Sequence, residues 1–479
     1  MIVKGYIFSV LYAFLCLGLA LVAYKLGMPK KYSRKLVHIL VGAEWIILSH
    51  YMGATYHFLI VCIFFFLVLL LSYLKNLMPM ISSESDNAPG TVYYCVAMSI
   101  MATVTMFVPD MMIPFGIGVF CTSVGDGLAG IAGQLIKKHN PKIYGKKSVF
   151  GTLVNFLSSF ITALVFKFVF DLSLSVWQCI AIGLFSAGLE LITAFGLDNI
   201  IITVGSALLA YAFIYFPIIN AFAVPIVLTP YVVAIVLEKK VLTRLGLALA
   251  MLLDAVVSVF LGNFGFVLLC TFLFGSVFVD KLKKRAKKVD SVSQKKGDSR
   301  DAVQVAANGA VPMIMAIMFA ITNSAAFIVA YVAALAEAFA DTTASGIGMY
   351  SKNVFDVFKM KKIKHGLSGG MSVIGTLSAL VAAFVIGGVA LLFGAVNWQM
   401  LLIASLSGFV GSVFDSFLGS LFQVKYRCTE CNEITEKTTH CGSATEKVSG
   451  FYFFDNDTVN LLSCLFAAAL GAILYIFCL

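Results

Sequence analysis

Apolar runs of about 17–25 residues follow one another from one end of the chain to the other, each long enough to cross a bilayer as a helix. We count about sixteen of them. The runs are continuous rather than alternating, so they do not read as strands of a membrane β-barrel. Of the 479 residues, 60% are hydrophobic and 12% charged, and the mean hydropathy is +0.97. A water-soluble chain of this length does not need so much apolar sequence. The expected fold class is all-α: a polytopic integral membrane helical bundle of about sixteen transmembrane helices.

The first run, about residues 5–27, is too long for a cleaved signal peptide and lacks its flanks. Lys25, Lys30, Lys31, Arg34 and Lys35 follow it. By the positive-inside rule this cluster is cytoplasmic and the N-terminus lies outside. Alternating the remaining runs places the loops near residues 75–90, 137–148, 239–244, 281–300, 351–365 and 425–447 on the cytoplasmic side and the C-terminus outside. Nearly all lysine and arginine falls in those loops, so the net charge of +10 is a topology signal and implies no nucleic acid partner. Eight of the eleven cysteines (Cys16, Cys62, Cys95, Cys121, Cys179, Cys270, Cys464 and Cys478) lie in or beside apolar runs and read as small hydrophobes. Nothing suggests a secreted disulfide framework.

Residues 121–153 break the apolar pattern. Asp126 sits in a glycine-rich apolar segment, a basic loop follows with Lys137, Lys138, Lys142, Lys146 and Lys147, and the loop ends in Ser148-Val149-Phe150-Gly151-Thr152-Leu153. An ionisable group at membrane depth is costly and is a functional candidate by default. An acid, a lysine pair and a Ser/Gly/Thr turn supply metal-binding, phosphate-neutralising and backbone-donor chemistry in that order. Gly125, Gly127, Gly130 and Gly133 permit close helix packing or close approach of a ligand. Glu190 and Asp198-Asn199 follow; with Asp126 they suit a hard, oxygen-seeking cation, although Asp-Asn serves a helix N-cap equally well. Read alone, Arg34-Lys35-x-x-His38 is a basic membrane flank with a histidine.

The pattern recurs. Asp126-x-x-Ala129-x-x-x-Gly133 is matched by Asp341-x-x-Ala344-x-x-x-Gly348, Ser148-x-x-Gly151-Thr152-Leu153 by Ser372-x-x-Gly375-Thr376-Leu377, and Asp198-Asn199 by Asp455-Asn456. The order is the same, while the spacing differs: 22 residues from Asp126 to Ser148 against 31 from Asp341 to Ser372. Three blocks in one order argue for an internal duplication and two distantly related halves, residues 1–216 and 217–479.

In the first half, Arg34-Lys35-x-x-His38, Asp126-x-x-Ala129-x-x-x-Gly133, Lys146-Lys147-Ser148-x-x-Gly151-Thr152, Glu190 and Asp198-Asn199 resemble the phytol kinase/dolichol kinase family of polytopic membrane enzymes. The resemblance implies phosphorylation of long-chain prenols, commonly with CTP. The family pattern usually has Glu where this chain has Phe150.

In the second half, Gln304 and Asn308 are four apart and share a helix face, as do Glu337 and Asp341, whose carboxylates then point the same way within a membrane helix. The loop from Lys359 to Gly370 offers Lys359, Lys361, Lys362, Lys364 and His365 followed by Gly366, Gly369 and Gly370, a composition suited to phosphate oxygens, and it is not a Walker loop. Asp415-Ser416-x-x-Gly419 takes the place of Glu190. Arg300-x-x-x-Gln304-x-x-x-Asn308-Gly309, Glu337-x-x-x-Asp341, Gly369-Gly370-x-Ser372, Asp415-Ser416 and Asp455-Asn456-Asp457-x-Val459-Asn460 resemble a second membrane family that includes plant phytyl-phosphate kinase. The resemblance implies transfer of a second phosphate, from prenyl monophosphate to diphosphate.

Cys428-x-x-Cys431 and His440-Cys441 stand apart, on a cytoplasmic loop over residues 425–450. Two Cys/His pairs at this spacing suit a closed, structural tetrahedral zinc site, with free thiols in a reducing compartment as the other reading.

The function expected is therefore a bifunctional isoprenoid-salvage kinase that uses Mg2+ with CTP, ATP or UTP. In the first half Asp126, Glu190 and Asp198 would hold magnesium, Lys146 and Lys147 would neutralise the donor phosphates, and backbone N–H groups from Ser148 through Gly151 to Thr152 would bind the remaining oxygens. Arg34, Lys35, His38 and Asn199 join that phosphate set. In the second half Glu337, Asp341, Asp415 and Asp455 would serve the metal. Arg300, Gln304, Asn308, Lys364, Gly369, Gly370, Ser372 and Asn456 would serve phosphate. The partners are an isoprenoid alcohol, its monophosphate, a nucleoside triphosphate and the bilayer. Two alternatives use similar residues: a glycerolipid kinase or cytidylyltransferase, and a transporter of duplicated halves.

Overall fold

The computed structural model describes residues 1–75, 90–136, 140–193, 196–286, 299–363, 367–436 and 438–479. Long apolar runs satisfy their backbone groups internally as helices, the form a hydrocarbon environment demands. Among the described residues, thirteen helices are long and apolar enough to cross a membrane. The other apolar runs take different forms. One is a pair of short helices, Lys30–Val41 and Glu44–Tyr51. Another is the 17-residue helix Val176–Ile192. A third is an arm of Arg244–Ala286, which is broken by Gly262 at φ 60°, ψ −145°.

The chain divides into two compact units, Met1–Lys239 and Lys240–Leu479. The division expected from sequence at 216/217 falls earlier than this boundary. Helix Ala223–Glu238 belongs to the first unit: the Tyr231 hydroxyl donates to the Leu184 carbonyl at 2.7 Å, and Val227 is part of that unit's buried core.

In the first unit, helix Met112–Phe120 runs into a π-helical turn, Cys121–Asp126, and continues as Gly127–Leu135. A π-turn widens the helix locally and is frequent at functional sites. Trp45, Phe115 and Phe166 pack in the core beside it. A short hairpin, Lys142–Tyr144 with Lys147–Ser148, leads into helix Val149–Val169, whose N-cap Ser148 accepts from Gly151 N–H.

In the second unit, helix Ala325–Ile347 is buried on nearly all sides, as its alanine-rich, apolar circumference requires. It packs against Arg244–Ala286, Ala302–Thr322, Val373–Leu392, Trp398–Leu421 and Asn456–Cys478. A hairpin, Phe355–Asp356 with Gly370–Met371, leads into Val373–Leu392, whose N-cap Ser372 accepts from Gly375 N–H. Residues 425–449 form a four-stranded antiparallel sheet in the order Ile434–Thr435, Lys425–Cys428, Ser443–Ser449, Thr439–His440.

The matched blocks occupy the same kinds of place in each unit. Ala129 O lies 3.4 Å from where a Cβ on Gly151 would be, and Ala344 O 3.1 Å from the same point on Gly375. Gly133 and Gly348 each face the capping serine, Ser148 and Ser372 respectively. In both units a side chain at the second glycine would press on the acid-bearing helix, so glycine is what lets the two helices meet.

Candidate functional site

The first unit gathers charge from five elements. Asp126 ends the π-turn and is buried. Lys35 Nζ donates to Asp126 Oδ2 at 2.6 Å and to its carbonyl at 3.2 Å. Gly130 makes this reach possible, because a Cβ there would lie 2.4 Å from Lys35 Cε. His38 Nε2 is 3.1 Å from Thr122 O and 3.5 Å from Asp126 Oδ2. Arg34, one turn earlier, acts electrostatically on His38.

Lys147 reaches Glu190 in a close ion pair and lies 4.0 Å from Asp198 Oδ2. Burial opposes its charge, but Glu190, Asp126 and Asp198 together outweigh burial and raise its pKa well above the usual lysine range. Lys146, its neighbour, sits exposed in the Gly145-Lys146 turn of the hairpin, one residue before the strand that carries Lys147. Asp198 opens helix Asp198–Tyr215 and accepts from Asn199 N–H at 3.0 Å; the Asn199 amide donates to Gly90 O and Gly196 O at 3.0 and 3.2 Å.

The N–H groups expected to meet phosphate are largely engaged within the chain. Val149 N–H donates to Pro141 O, Phe150 N–H to Asn140 Oδ1 and Gly151 N–H to Ser148 Oγ. Thr152 is buried, with no hydrogen-bond partner for its Oγ1 among the described residues. Behind Asp126, Asn155, Ser159 and Ser186 form a buried polar trio with contacts of 3.0–3.2 Å. Its members lie on two helices, and no local sequence signal joins them.

In the second unit, Glu337 is buried, and Asp341 and Asp415 are half-buried. Glu337 and Asp341 both act electrostatically on Asp415. Gly411 leaves room for Glu337, since a Cβ there would sit 2.7 Å from Glu337 Cγ. Glu337 Oε1 has no hydrogen-bond partner among the described residues. Its Oε2 accepts from Cys464 Sγ at 2.7 Å, so Cys464 is a polar partner and not simply the small hydrophobe its surroundings suggested. Ser463 Oγ donates to Asp415 Oδ2 at 3.1 Å, and the Asn460 amide reaches Asp415 Oδ2 and Asn456 O at 3.2 and 3.1 Å. Asp455 N-caps the last helix, accepting from Thr458 N–H and Oγ at 3.0 Å.

Arg300 pairs with Asp280 at 3.1 Å. Gln304 N–H is capped by Asp301, and the Asn308 amide donates back to Gln304 O at 2.9 Å. Lys364, His365 and Gly366 lie outside the described residues. Gly369 has φ +83°, and a Cβ on it would lie 2.6 Å from Ser420 Cα. Asp356, absent from the expected set, holds this loop. Its Oδ1 accepts from Ser420 Oγ at 2.6 Å and from the N–H groups of Lys359 and Phe358 at 2.8 and 3.0 Å. Burial pushes its pKa up, but these donors outweigh burial and the net shift is downward.

The ligand atoms of Cys428, Cys431, His440 and Cys441 all lie within 4.8 Å of one another. Donation from Cys431 N–H pulls the Cys428 thiol down to about 6.

The family described as Integral membrane protein DUF92 matches residues 227–468. The chain is 31% identical over 192 residues to phytol kinase of Synechocystis sp., covering 38% of this chain and 80% of that protein. It is 28% identical over 245 residues to Protein PGR of Arabidopsis thaliana, covering 45% and 83%. Protein VTE6, chloroplastic, from the same plant is 24% identical over 228 residues, covering 46% and 62%. No solved structure matches the chain.

Proposed function

The chain belongs to the DUF92 family of integral membrane proteins, and from that premise we propose that it is a two-step isoprenoid kinase. The first unit converts a long-chain prenol of the phytol, geranylgeraniol or farnesol type to its monophosphate. The second converts the monophosphate to the diphosphate. Similarity to phytol kinase supports the phosphotransferase reading. The observation that carries it is the convergence of Lys147 with Glu190, Asp198 and Asp126, beside Lys35 on Asp126. Such a site places fixed positive and negative charge where a nucleotide's phosphates and a hydroxyl can meet.

In this reading the prenol oxygen attacks the terminal phosphorus of CTP, ATP or UTP. Its proton passes to a carboxylate, for which we assign Asp126, and the bond to the nucleoside diphosphate breaks. Lys35 and Lys147 neutralise donor phosphates. The apolar helices hold the isoprenoid tail and exclude water, which protects the donor from hydrolysis. Magnesium fits the residues present. The donors are carboxylate oxygens, Asp126, Glu190 and Asp198 in one unit and Glu337, Asp341, Asp415 and Asp455 in the other, and Glu337 Oε1 is an orphaned buried oxygen. When bound, it supplies charge neutralisation at the transferring phosphate. The loops bearing the lysines face the cytoplasm and both termini lie outside, with the two units descending from one duplicated ancestor.

The test is purified protein in detergent with magnesium, CTP or ATP, and a panel of prenols and prenyl monophosphates, with products resolved by mass spectrometry. Monophosphate and diphosphate products are expected. Diphosphate from added monophosphate alone would remove the first step and point to Phe150; no product from any acceptor would overturn the proposal.

A further inference from the structure

We propose that the Cys428, Cys431, His440 and Cys441 cluster binds one zinc ion, and that the small sheet it staples clamps the Ser368–Gly370 turn of the second unit. The clamp's importance for catalysis rests on the phosphate-binding reading of that turn; the clamp itself does not.

The cluster has the dimensions of a tetrahedral site. His440 Nδ1 lies 3.4 Å from both Cys431 Sγ and Cys441 Sγ. With Zn–S near 2.3 Å and Zn–N near 2.0–2.1 Å, the S···N edge of a tetrahedron is about 3.5 Å. Two tight turns present the ligands. Asn432, just after Cys431, has φ 59°, and Cys441 and Gly442 have φ 52° and 83°. The Asn432 N–H donates to Cys428 O at 3.1 Å and the Cys428 N–H to Glu433 O at 2.9 Å, closing the first turn. The sheet between the turns is small: two of its four strands, Ile434–Thr435 and Thr439–His440, have two residues each. Strands so short do not hold a sheet in water without a staple, and a structural metal is a common one.

The sheet then grips the loop at one residue from both sides. Glu436 Oε1 accepts from Ser368 N–H at 2.8 Å, and its Oε2 accepts from Gln423 Nε2 at 3.2 Å. Lys425 Nζ donates to Ser368 O at 3.1 Å. Lys425 opens the strand that ends in Cys428, and Glu436 follows the strand paired with it. Ser368 immediately precedes Gly369, whose left-handed backbone packs on Ser420. The metal therefore acts on the turn indirectly: it fixes the strands, the strands fix Glu436 and Lys425, and these fix Ser368.

The experiment uses the full chain without nucleotide or lipid acceptor, so kinase activity does not enter it. Metal content is measured on wild type, Cys428→Ser/Cys431→Ser and Glu436→Ala, and hydrogen exchange is followed in the peptide spanning residues 367–372. We expect about one zinc per wild-type chain, none in the double-cysteine variant, and full zinc in Glu436→Ala. Exchange at Ser368 should rise by about tenfold or more in both variants, the effect of losing a charged hydrogen bond. Protection of the peptides forming the helices of the second unit reports that the variants still fold. Wild type lacking zinc, or unchanged Ser368 protection in the zinc-free variant, would overturn the proposal.

Discussion

Lys147 is the residue whose removal tests the first site most directly. Its ammonium pairs with Glu190, whose side chain is only 7% exposed, and lies 4.0 Å from Asp198. Lys147→Met leaves the buried Glu190 and the half-buried Asp198 without their shared cation. Removing one partner of a fully buried pair costs about 3–5 kcal/mol. The lysine side chain here is 26% exposed, so water recovers part of that, and we take about 2 kcal/mol. For a unit of this size that is a fall in Tm of about 4–8 °C. Loss of a fixed charge at the developing phosphate should lower the first step by about 10²-fold or more. The assay pairs thermal unfolding in detergent with single-turnover formation of prenyl monophosphate, for Lys147→Met, Glu190→Gln and the double variant. Because the two side chains are in contact, their stability effects should fail to add by about 1–3 kcal/mol. If the two substitutions add within error and Lys147→Met unfolds at the wild-type temperature, the ion pair does not hold the site and the charge argument is refuted.

Asp126→Asn should abolish monophosphate formation and leave conversion of added monophosphate intact, while Asp341→Asn should do the reverse; product analysis by mass spectrometry reads both. Gly369→Ala forces a side chain into φ +83° and against Ser420, a strain of about 1–3 kcal/mol, so the variant should accumulate monophosphate with the first step unchanged. Magnesium should raise the unfolding temperature of wild type, because ions that bind only the native state stabilise it. Much of that gain should vanish in Asp341→Asn/Asp415→Asn, since the first unit's acids already have Lys35 and Lys147 as partners; an equal gain in the double variant would count against metal at Glu337, Asp341 and Asp415.

The helical class was legible because hydrocarbon leaves the backbone one economical answer, and run length reports it without any knowledge of contacts. The count was less legible. Whether 17 residues at Val176–Ile192 span, or Gly262 breaks Arg244–Ala286 into two arms, depends on packing and on one left-handed residue. The compact units divide after Lys239 rather than at 216/217, a difference that the sequence does not signal because Ala223–Glu238 is apolar like its neighbours. Its contacts through Tyr231 and Val227 assign it to the first unit.

At the sites, the acids were readable because an acid in an apolar run is conspicuous by cost alone. Direction was not readable. Lys146 and Lys147 are adjacent, and the hairpin places Lys146 exposed in its turn while Lys147, at the start of the second strand, reaches Glu190. Capping was not readable either. Ser148 and Ser372 looked like phosphate ligands, and each spends its hydroxyl on the first turn of a helix. Asp356 and Glu436 escaped notice because a carboxylate in a polar loop has no cost to advertise it. Their importance comes from what they hold, Ser420 and Ser368, 64 and 68 residues away in sequence. The same asymmetry separates the two units. Around Asp126 and Glu190 the counter-charges are lysines on neighbouring elements, so that site is neutralised before any substrate arrives. Around Glu337 and Asp415 the hydrogen-bonding side chains include Cys464 and Ser463, which carry no positive charge, and Lys283 acts on Asp341 electrostatically. Such a site would gain from a cation brought in with the nucleotide, which fits the proposed second step, whose acceptor is already a phosphate and which must bring two anions together.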